Sequence, residues 1–357
     1  MLPHIALTLG DVAGIGPEVI VRAWCEAPLV TWCRPVVVGH PEVLRRAVQV
    51  CGAGLEVQSI GSIEEGNAGH RVIPCWNPSP VNAAAVPIGR NDGRAGQAAF
   101  DYLVAAAKAA MNGQIDAITT APLSKAALHL AGLHYPGHTE ILAEMCGVRE
   151  FAMMLYLSGI TTVESKPHSV GVAHVTLHTS IRSVPDLLTC RLILDKIRLI
   201  NQFLKTIGCP EPRIAVCALN PHAGEEGLFG DEEQMTILPA VTSAVAEQIS
   251  VVGPLPADSL IKRAVQGEFD GVVAMYHDQG HIALKLVGLD RAVNVTLGLP
   301  IVRTSPSHGT AFDIAGTGKA RPDGLIEAIR VAARLATHKI QSYIARSAPA
   351  AVEQPAR

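Results

Sequence analysis

The chain has 357 residues, 48% of them hydrophobic and 17% charged, which excludes disorder over most of its length. At about 150 residues per domain it has apolar material for two buried cores, and with aromatics at only 4% those cores must be built from Ala, Val, Leu and Ile. Lys and Arg total 29 against 32 Asp and Glu, a formal charge of −3 with no basic stripe, which argues against nucleic acid as a partner.

The opening MLPHIALTLGD has neither the charged start nor the small-residue cleavage site of a secretory signal. His4–Leu9 reads as a buried strand. The following Gly10-Asp11-Val12-Ala13-Gly14-Ile15-Gly16-Pro17-Glu18 reads as a tight strand-to-helix turn, with Pro17 suited to the first turn of the helix. Its glycines fall at 10, 14 and 16, not as G-x-G-x-x-G, so a Rossmann dinucleotide site is rejected here. Six further apolar runs read as buried strands: Pro35–Val38, Ile115–Thr119, Met153–Leu157, Val170–Leu177, Ile214–Leu219 and Gly271–Tyr276.

Helical periodicity fills the intervals. One helix is expected over Ala95–Asn112, closed by Gly113. Another spans Val184–Ile207, where Leu188, Leu192, Ile197, Ile200 and Leu204 recur near one face until Gly208 and Pro210 end it. A third starts near Pro322 and carries Leu325, Ile329, Ala332 and Leu335. Alternating βα units imply an α/β fold with a largely parallel sheet. No apolar run is long enough to span a membrane. The eight cysteines contain no C-x-x-C pair and read as small core residues in a reducing cytoplasm. The last dozen residues are rich in Ala and Pro and are expected to fray.

Three histidines follow predicted strands directly or within three residues: His178, His222 and His277. Ligands of open parallel sheets bind at the carboxyl ends of strands, and three neutral imidazoles suit a divalent metal such as zinc. The histidines lie 44 and 55 residues apart, so no short spacing rule supports the set, and three unrelated strand-end histidines are the alternative. Asp278 is placed to orient the His277 ring, unless His277-Asp278-Gln279-Gly280-His281 is only a turn with an Asx contact. Tyr135-Pro136-Gly137-His138-Thr139-Glu140 precedes a helical stretch over Ile141–Met145. Its hydroxyl, imidazole and free backbone N–H groups suit a phosphate or carboxylate; the alternative is that Thr139 simply caps the helix. In the run from Thr304 to Gly318, small residues permit close approach of a flat ligand, and Asp313 can accept from a ribose hydroxyl; the alternative is a glycine-rich loop of no special use.

These segments together resemble the 4-hydroxythreonine-4-phosphate dehydrogenases of vitamin B6 biosynthesis and their close relatives. The resemblance runs from TLGDVAGIGPE to about residue 335 through TAPLSK, YPGHTE, NPHAGEEGLFGDEE, the HDQG segment, NVTLGLPIVRTS and HGTAFDIAG. It implies the two-lobed α/β/α fold shared with isocitrate and isopropylmalate dehydrogenases, which bind NAD without a Rossmann motif. One lobe would comprise residues 1–135 with 290–345 and carry the nucleotide loop. The other, 136–289, would carry the metal ligands, and 346–357 would be a frayed tail.

The same resemblance implies that His178, His222 and His277 hold a divalent metal (Zn, Co, Ni, Mn or Mg) at a homodimer interface. It assigns substrate binding to His138, Thr139, Lys285, Asn294 and Arg303, and catalysis to Asp258 and Lys285. Gly309, Thr310, Ala311 and Asp313 are the expected contacts of NAD, with NADP also admissible. The activity implied is oxidation and decarboxylation of a four-carbon hydroxy acid phosphorylated at its end: 4-phosphohydroxy-L-threonine, or D-threonate or D-erythronate 4-phosphate. Two alternatives are a cis-dihydrodiol dehydrogenase of aromatic degradation, which the intact His138-Thr139 pair opposes, and a non-catalytic anion-binding protein. Departures from the commonest pattern are Val12 in place of proline, Thr179-Ser180-Ile181-Arg182 after His178, and a longer loop over 158–169. AMYHDQGHIALKLVG looks closest to the branch acting on sugar-acid phosphates.

Overall fold

The computed structural model describes residues 2–161, 167–288 and 290–347. Its described residues form one twelve-stranded sheet. In chain order the strands are β1 (His4–Thr8), β2 (Arg34–Val38), β3 (Glu56–Ile60), β4 (Val72–Trp76), β5 (Ala117–Thr120), β6 (Ala152–Ile160), β7 (His168–His174), β8 (Ile214–Cys217), β9 (Val251–Leu255), β10 (Gly271–Ala274), β11 (Val293–Leu297) and β12 (Val302–Pro306). Their spatial order is β3-β4-β2-β1-β5-β12-β11-β6-β7-β10-β8-β9. Pairing is parallel except in the middle, where β11 runs antiparallel to both β12 and β6, and β6 antiparallel to β7. The α/β fold with a largely parallel sheet is therefore present, with a short antiparallel centre.

All seven apolar runs contain strands. β7 stops at His174, short of the expected Leu177. Five strands were not anticipated (β3, β4, β9, β11 and β12), three of them for a local reason. The edge strand β3 reads EVQSI and exposes every second side chain or more. β11 and β12 carry Thr, Arg and Ser at buried positions and Asn at a half-buried one, so neither looks apolar. The expected single helix over 184–207 is two: Val184–Leu187, then Cys190–Thr206. Thr189 makes the break, since its Oγ1 accepts from the Leu192 N–H at 3.1 Å and so caps a new helix. Within the expected 158–169 loop, β6 continues to Ile160 and β7 begins at His168; residues 162–166 lie outside the described residues. The C-terminal helix runs Asp323–Ser347, so residues 346 and 347 of the expected frayed tail are helical; 348–357 lie outside the described residues.

The scarcity of aromatics shows in how elements approach one another. Helix Gly93–Met111 buries mostly alanines, and a Cβ on Gly96 would sit 2.1 Å from the Ala127 carbonyl oxygen of the helix Lys125–Leu130. One large apolar cluster surrounds β1, β2 and β5, while two others flank β6, β7, β8 and β10. Helix Asp323–Ser347 ties clusters together: Leu325, Ile329 and Ala332 enter the first, Ala328, Val331 and Leu335 the second. All eight cysteines are free thiols. No helix among the described residues is long and apolar enough to cross a membrane.

The turn after β1 is structural, as expected. Gly10 has φ +63°, and a Cβ there would meet the Pro122 carbonyl oxygen at 2.2 Å. Asp11 is fully buried; its Oδ1 accepts from the Ala13 N–H at 2.9 Å, while Oδ2 has no partner. Burial raises its carboxyl from 3.8 to about 6. The folded state thus holds this proton where the unfolded chain has lost it. The contribution is full below about pH 3.8 and is lost as pH rises through about 6. Asp11→Asn keeps the Oδ1 acceptor and should remove up to about 3 kcal/mol of that loss of stability with rising pH. Denaturant unfolding at pH 4 and pH 7 measures it, and an unchanged pH dependence would contradict the assignment.

Candidate active site

β12 places Arg303 in the middle of the sheet, opposite Ile118 of β5. Its side chain is 2% exposed. Nη1 donates to Thr296 Oγ1 at 3.1 Å and Nη2 to Thr120 Oγ1 at 2.7 Å, while the buried Nε has no partner. Among the described residues no carboxylate is ion-paired with it. Burial, opposed by the field of Glu140, lowers the guanidinium to about 10, so it remains a cation at neutral pH. A buried charge with only neutral partners is costly unless an anion completes it.

A cleft of about 200 Å³ opens beside this cation. Asn294 of β11 lines it with its buried Oδ1 unpartnered, and His308 with its buried Nε2 unpartnered. His138 and Thr139 line it from the first turn of the helix His138–Met145. The cap position of that helix is Gly137, with no side-chain cap, so Thr139 does not spend its hydroxyl there. Burial, and then the charge of Arg303, hold the His138 imidazole well below its ordinary range and hence neutral. Arg303, Asn294, His138 and Thr139 are thus brought together as an anion-receptive group.

β7, β10 and β8 are adjacent and parallel, so the three expected metal histidines leave the same edge of the sheet. His178 and His277 converge, their ring centroids 6.0 Å apart. His178 is kept neutral by burial first and the Lys125 charge second. His277 opens the helix His277–Gly288; the segment is not a turn. Its Nδ1 is 2.7 Å from Asp278 Oδ1, the orienting contact expected of Asp278. His222 stands apart. It is exposed, 2.9 Å from Glu225 Oε1 through Nδ1, and its ring packs on Phe229. Among the described residues of one chain no three His, Cys, Asp or Glu side chains are placed to share an ion.

The loop holding His222 is strained. Residues His222 to Glu226 all take φ between 43° and 80°, and four of the five are not glycine. Left-handed backbone costs such residues about 1 kcal/mol or more each. The buried Glu233 holds the base of the loop, accepting from the Leu219 and Asn220 N–H groups at 2.8 Å. Strain maintained by surrounding structure is commonly found where a side chain must be presented in one place.

Residues 31–332 match the family of the pyridoxal phosphate biosynthetic protein PdxA. The chain belongs to that family. It is 44% identical over 337 residues to the 4-hydroxythreonine-4-phosphate dehydrogenase of Geobacter metallireducens, covering 94% of this chain and 96% of that protein. It is 42% identical over 339 residues to the D-threonate 4-phosphate dehydrogenase of Salmonella typhimurium, covering 93% and 98%. The crystal structure of a 4-hydroxythreonine-4-phosphate dehydrogenase from Burkholderia phymatum matches with a TM-score of 0.79 at 43% identity, covering 94% and 98%.

Of the remaining expected residues, Lys285 lies on the helix His277–Gly288, where its charge reaches His281. Asp258 is exposed in the first turn of Ala257–Val265, with Oδ1 accepting from the Ser259 N–H, and does not line the cleft. The small-residue loop touches the cleft through Gly309, while Thr310, Ala311 and Asp313 lie beyond it. Two features escaped sequence reading. His174 and His281 form a buried pair that no spacing rule links. Glu18 was read as one letter of a turn, yet its Oε1 accepts from the Gly316 N–H, and its Oε2 from the Gly318 N–H at 2.8 Å. With the Ile15 N–H donating to the Thr310 carbonyl, the first helix grips the whole loop. Glu18→Gln turns an N–H toward an N–H and should raise hydrogen exchange at the Gly316 and Gly318 amides by about tenfold or more. Unchanged protection would show that the loop is held by other contacts.

Proposed function

We propose that this chain is an NAD-dependent, divalent-metal-dependent dehydrogenase that oxidises and decarboxylates a four-carbon hydroxy acid bearing a 4-phosphate, with NADP as a possible substitute cofactor. The substrate is 4-phosphohydroxy-L-threonine or D-threonate or D-erythronate 4-phosphate. The observation that carries this reading is the buried Arg303 cation, which is ion-paired with no carboxylate among the described residues and faces a cleft with Asn294, His138 and Thr139, Glu140 reaching it only through its field. A phosphate or carboxylate supplies that counter-charge, and the planar guanidinium suits either. An unphosphorylated dihydrodiol would leave more of this cationic site unanswered.

The reaction removes hydride from the carbon β to the carboxylate, passes it to nicotinamide and releases the hydroxyl proton. The C1–C2 bond of the β-keto acid then breaks, carbon dioxide leaves, and C2 takes up a proton. Lys285 is assigned to proton transfer. Asp258 is assigned the same task; neither it nor Lys285 lines the cleft of the single chain. His178, His222 and His277 are assigned to the divalent ion; two of the imidazoles already converge, and the third is presented at the surface on a strained loop. A divalent ion there would supply positive charge beside the reacting oxygen. Leu228, Phe229 and Met235 are exposed around His222, an apolar surface that suits a second copy of the chain and hence a homodimer. Gly309, Thr310, Ala311 and Asp313 are assigned to the nucleotide, on a loop already pinned by Glu18. Eight free thiols fit a cytoplasmic location.

The test is a parallel assay of the three phosphorylated acids with NAD and with NADP. NADH should form together with carbon dioxide from at least one of them, and a chelator should stop it. His222→Ala should lose on the order of a hundredfold in turnover. Full turnover by that variant in chelator-treated buffer would overturn the metal assignment. Tight binding of the acids without any reduction of NAD or NADP would favour a non-catalytic binding protein.

A further inference from the structure

A second imidazole system lies behind the cleft. His174, at the end of β7, is fully buried, and its Nδ1 is 3.2 Å from the Met153 carbonyl oxygen. Its Nε2 is 3.0 Å from Nδ1 of His281, which is 7% exposed on the helix His277–Gly288. The contact depends on Gly280, since a Cβ there would stand 2.6 Å from His174 Nε2. His281 in turn stacks on His277, with centroids 3.8 Å apart and planes at 13°, and lines the cleft with Arg303 and Asn294.

The bonding fixes the tautomers. A carbonyl oxygen only accepts, so the His174 proton sits on Nδ1 and its Nε2 offers a lone pair. His281 must then donate from Nδ1, which leaves its Nε2 as an acceptor on the opposite edge of the ring. Both rings are buried, and among the described residues neither is hydrogen-bonded to a carboxylate that would hold a proton on it. The arrangement differs from that of a general base, whose imidazole is backed by a carboxylate able to stabilise the imidazolium. Behind the Nδ1 edge of His281 stand a second imidazole and then a peptide carbonyl, so the ring is built to hold a hydrogen bond.

We propose that His281 is a specificity residue whose Nε2 accepts a hydrogen bond from a hydroxyl of the substrate chain that is not itself oxidised, and that His174 is the positioning residue that fixes its tautomer. The identity of that hydroxyl rests on the dehydrogenase reading above: in a 2,3-dihydroxy acid 4-phosphate it is the one next to the carboxylate. The tautomers do not depend on that reading.

Two measurements test the proposal. The first compares D-threonate 4-phosphate with 3-hydroxy-4-phosphooxybutanoate, which keeps the oxidisable hydroxyl and lacks its neighbour. The unsubstituted enzyme should favour the former by about tenfold or more in kcat/KM, and His281→Leu should bring the ratio near one, chiefly through KM. A ratio unchanged by the substitution would overturn the specificity role. The second is nitrogen-15 NMR of the imidazoles, assigned with His281→Asn and His174→Asn. His281 should show a protonated Nδ1 and an unprotonated Nε2 in the unsubstituted protein, and a mixture of tautomers in His174→Asn. A protonated Nε2 on His281 would overturn the relay even if no acid is turned over, whereas correct tautomers with no turnover on any phosphorylated acid would instead count against the dehydrogenase reading.

Discussion

The site is organised around one buried charge that no carboxylate among the described residues ion-pairs. Arg303 sits on an inner strand of the sheet, held by two threonine hydroxyls, with a third donor left unpartnered. Hydroxyl dipoles orient a guanidinium but do not neutralise it. Its surroundings follow from that: neutral His138 beside it, an unspent hydroxyl on Thr139, and the buried oxygen of Asn294. Such a site holds its donors in place before an anion arrives, so little ordering cost falls on binding. The antiparallel centre of the sheet makes this possible, because β11 and β12 bring Asn294 opposite Ser305 while Arg303 still pairs with β5.

The second organising feature is the grip of the N-terminal turn on the loop at 309–318. Gly10 and Gly14 let that turn lie against Pro122 and Thr310, where any side chain would collide. Glu18 then satisfies two amide groups of the loop with one carboxylate. The loop's shape is therefore set from a segment about three hundred residues away in sequence.

What the sequence made legible was local. Apolar runs bounded by Gly and Pro marked seven strands, and the strand-end positions of His178 and His277 did anticipate their convergence. The orienting role of Asp278 was also readable, since it depends on a neighbour. Arg303 and Asn294 were reached only through family resemblance, because a polar residue inside a buried strand carries no periodic signal. The His174–His281 pair was invisible: its members are 107 residues apart and meet only because β7 and β10 are neighbours and Gly280 has no side chain. The left-handed run at 222–226 was equally hidden, since Ala and Glu give no warning of positive φ.

The most direct measurement is thermal unfolding of Arg303→Met beside the unsubstituted protein, with and without D-threonate 4-phosphate. If the guanidinium is an anion receptor with no ion-paired carboxylate of its own, the free variant should be as stable as the parent or more so, because a costly buried charge has gone. The rise in Tm that the phosphorylated acid gives the parent should be absent. A free variant that is severely destabilised yet still gains the full ligand-induced rise would contradict the account, since the charge would then be serving the fold and the anion would be held elsewhere.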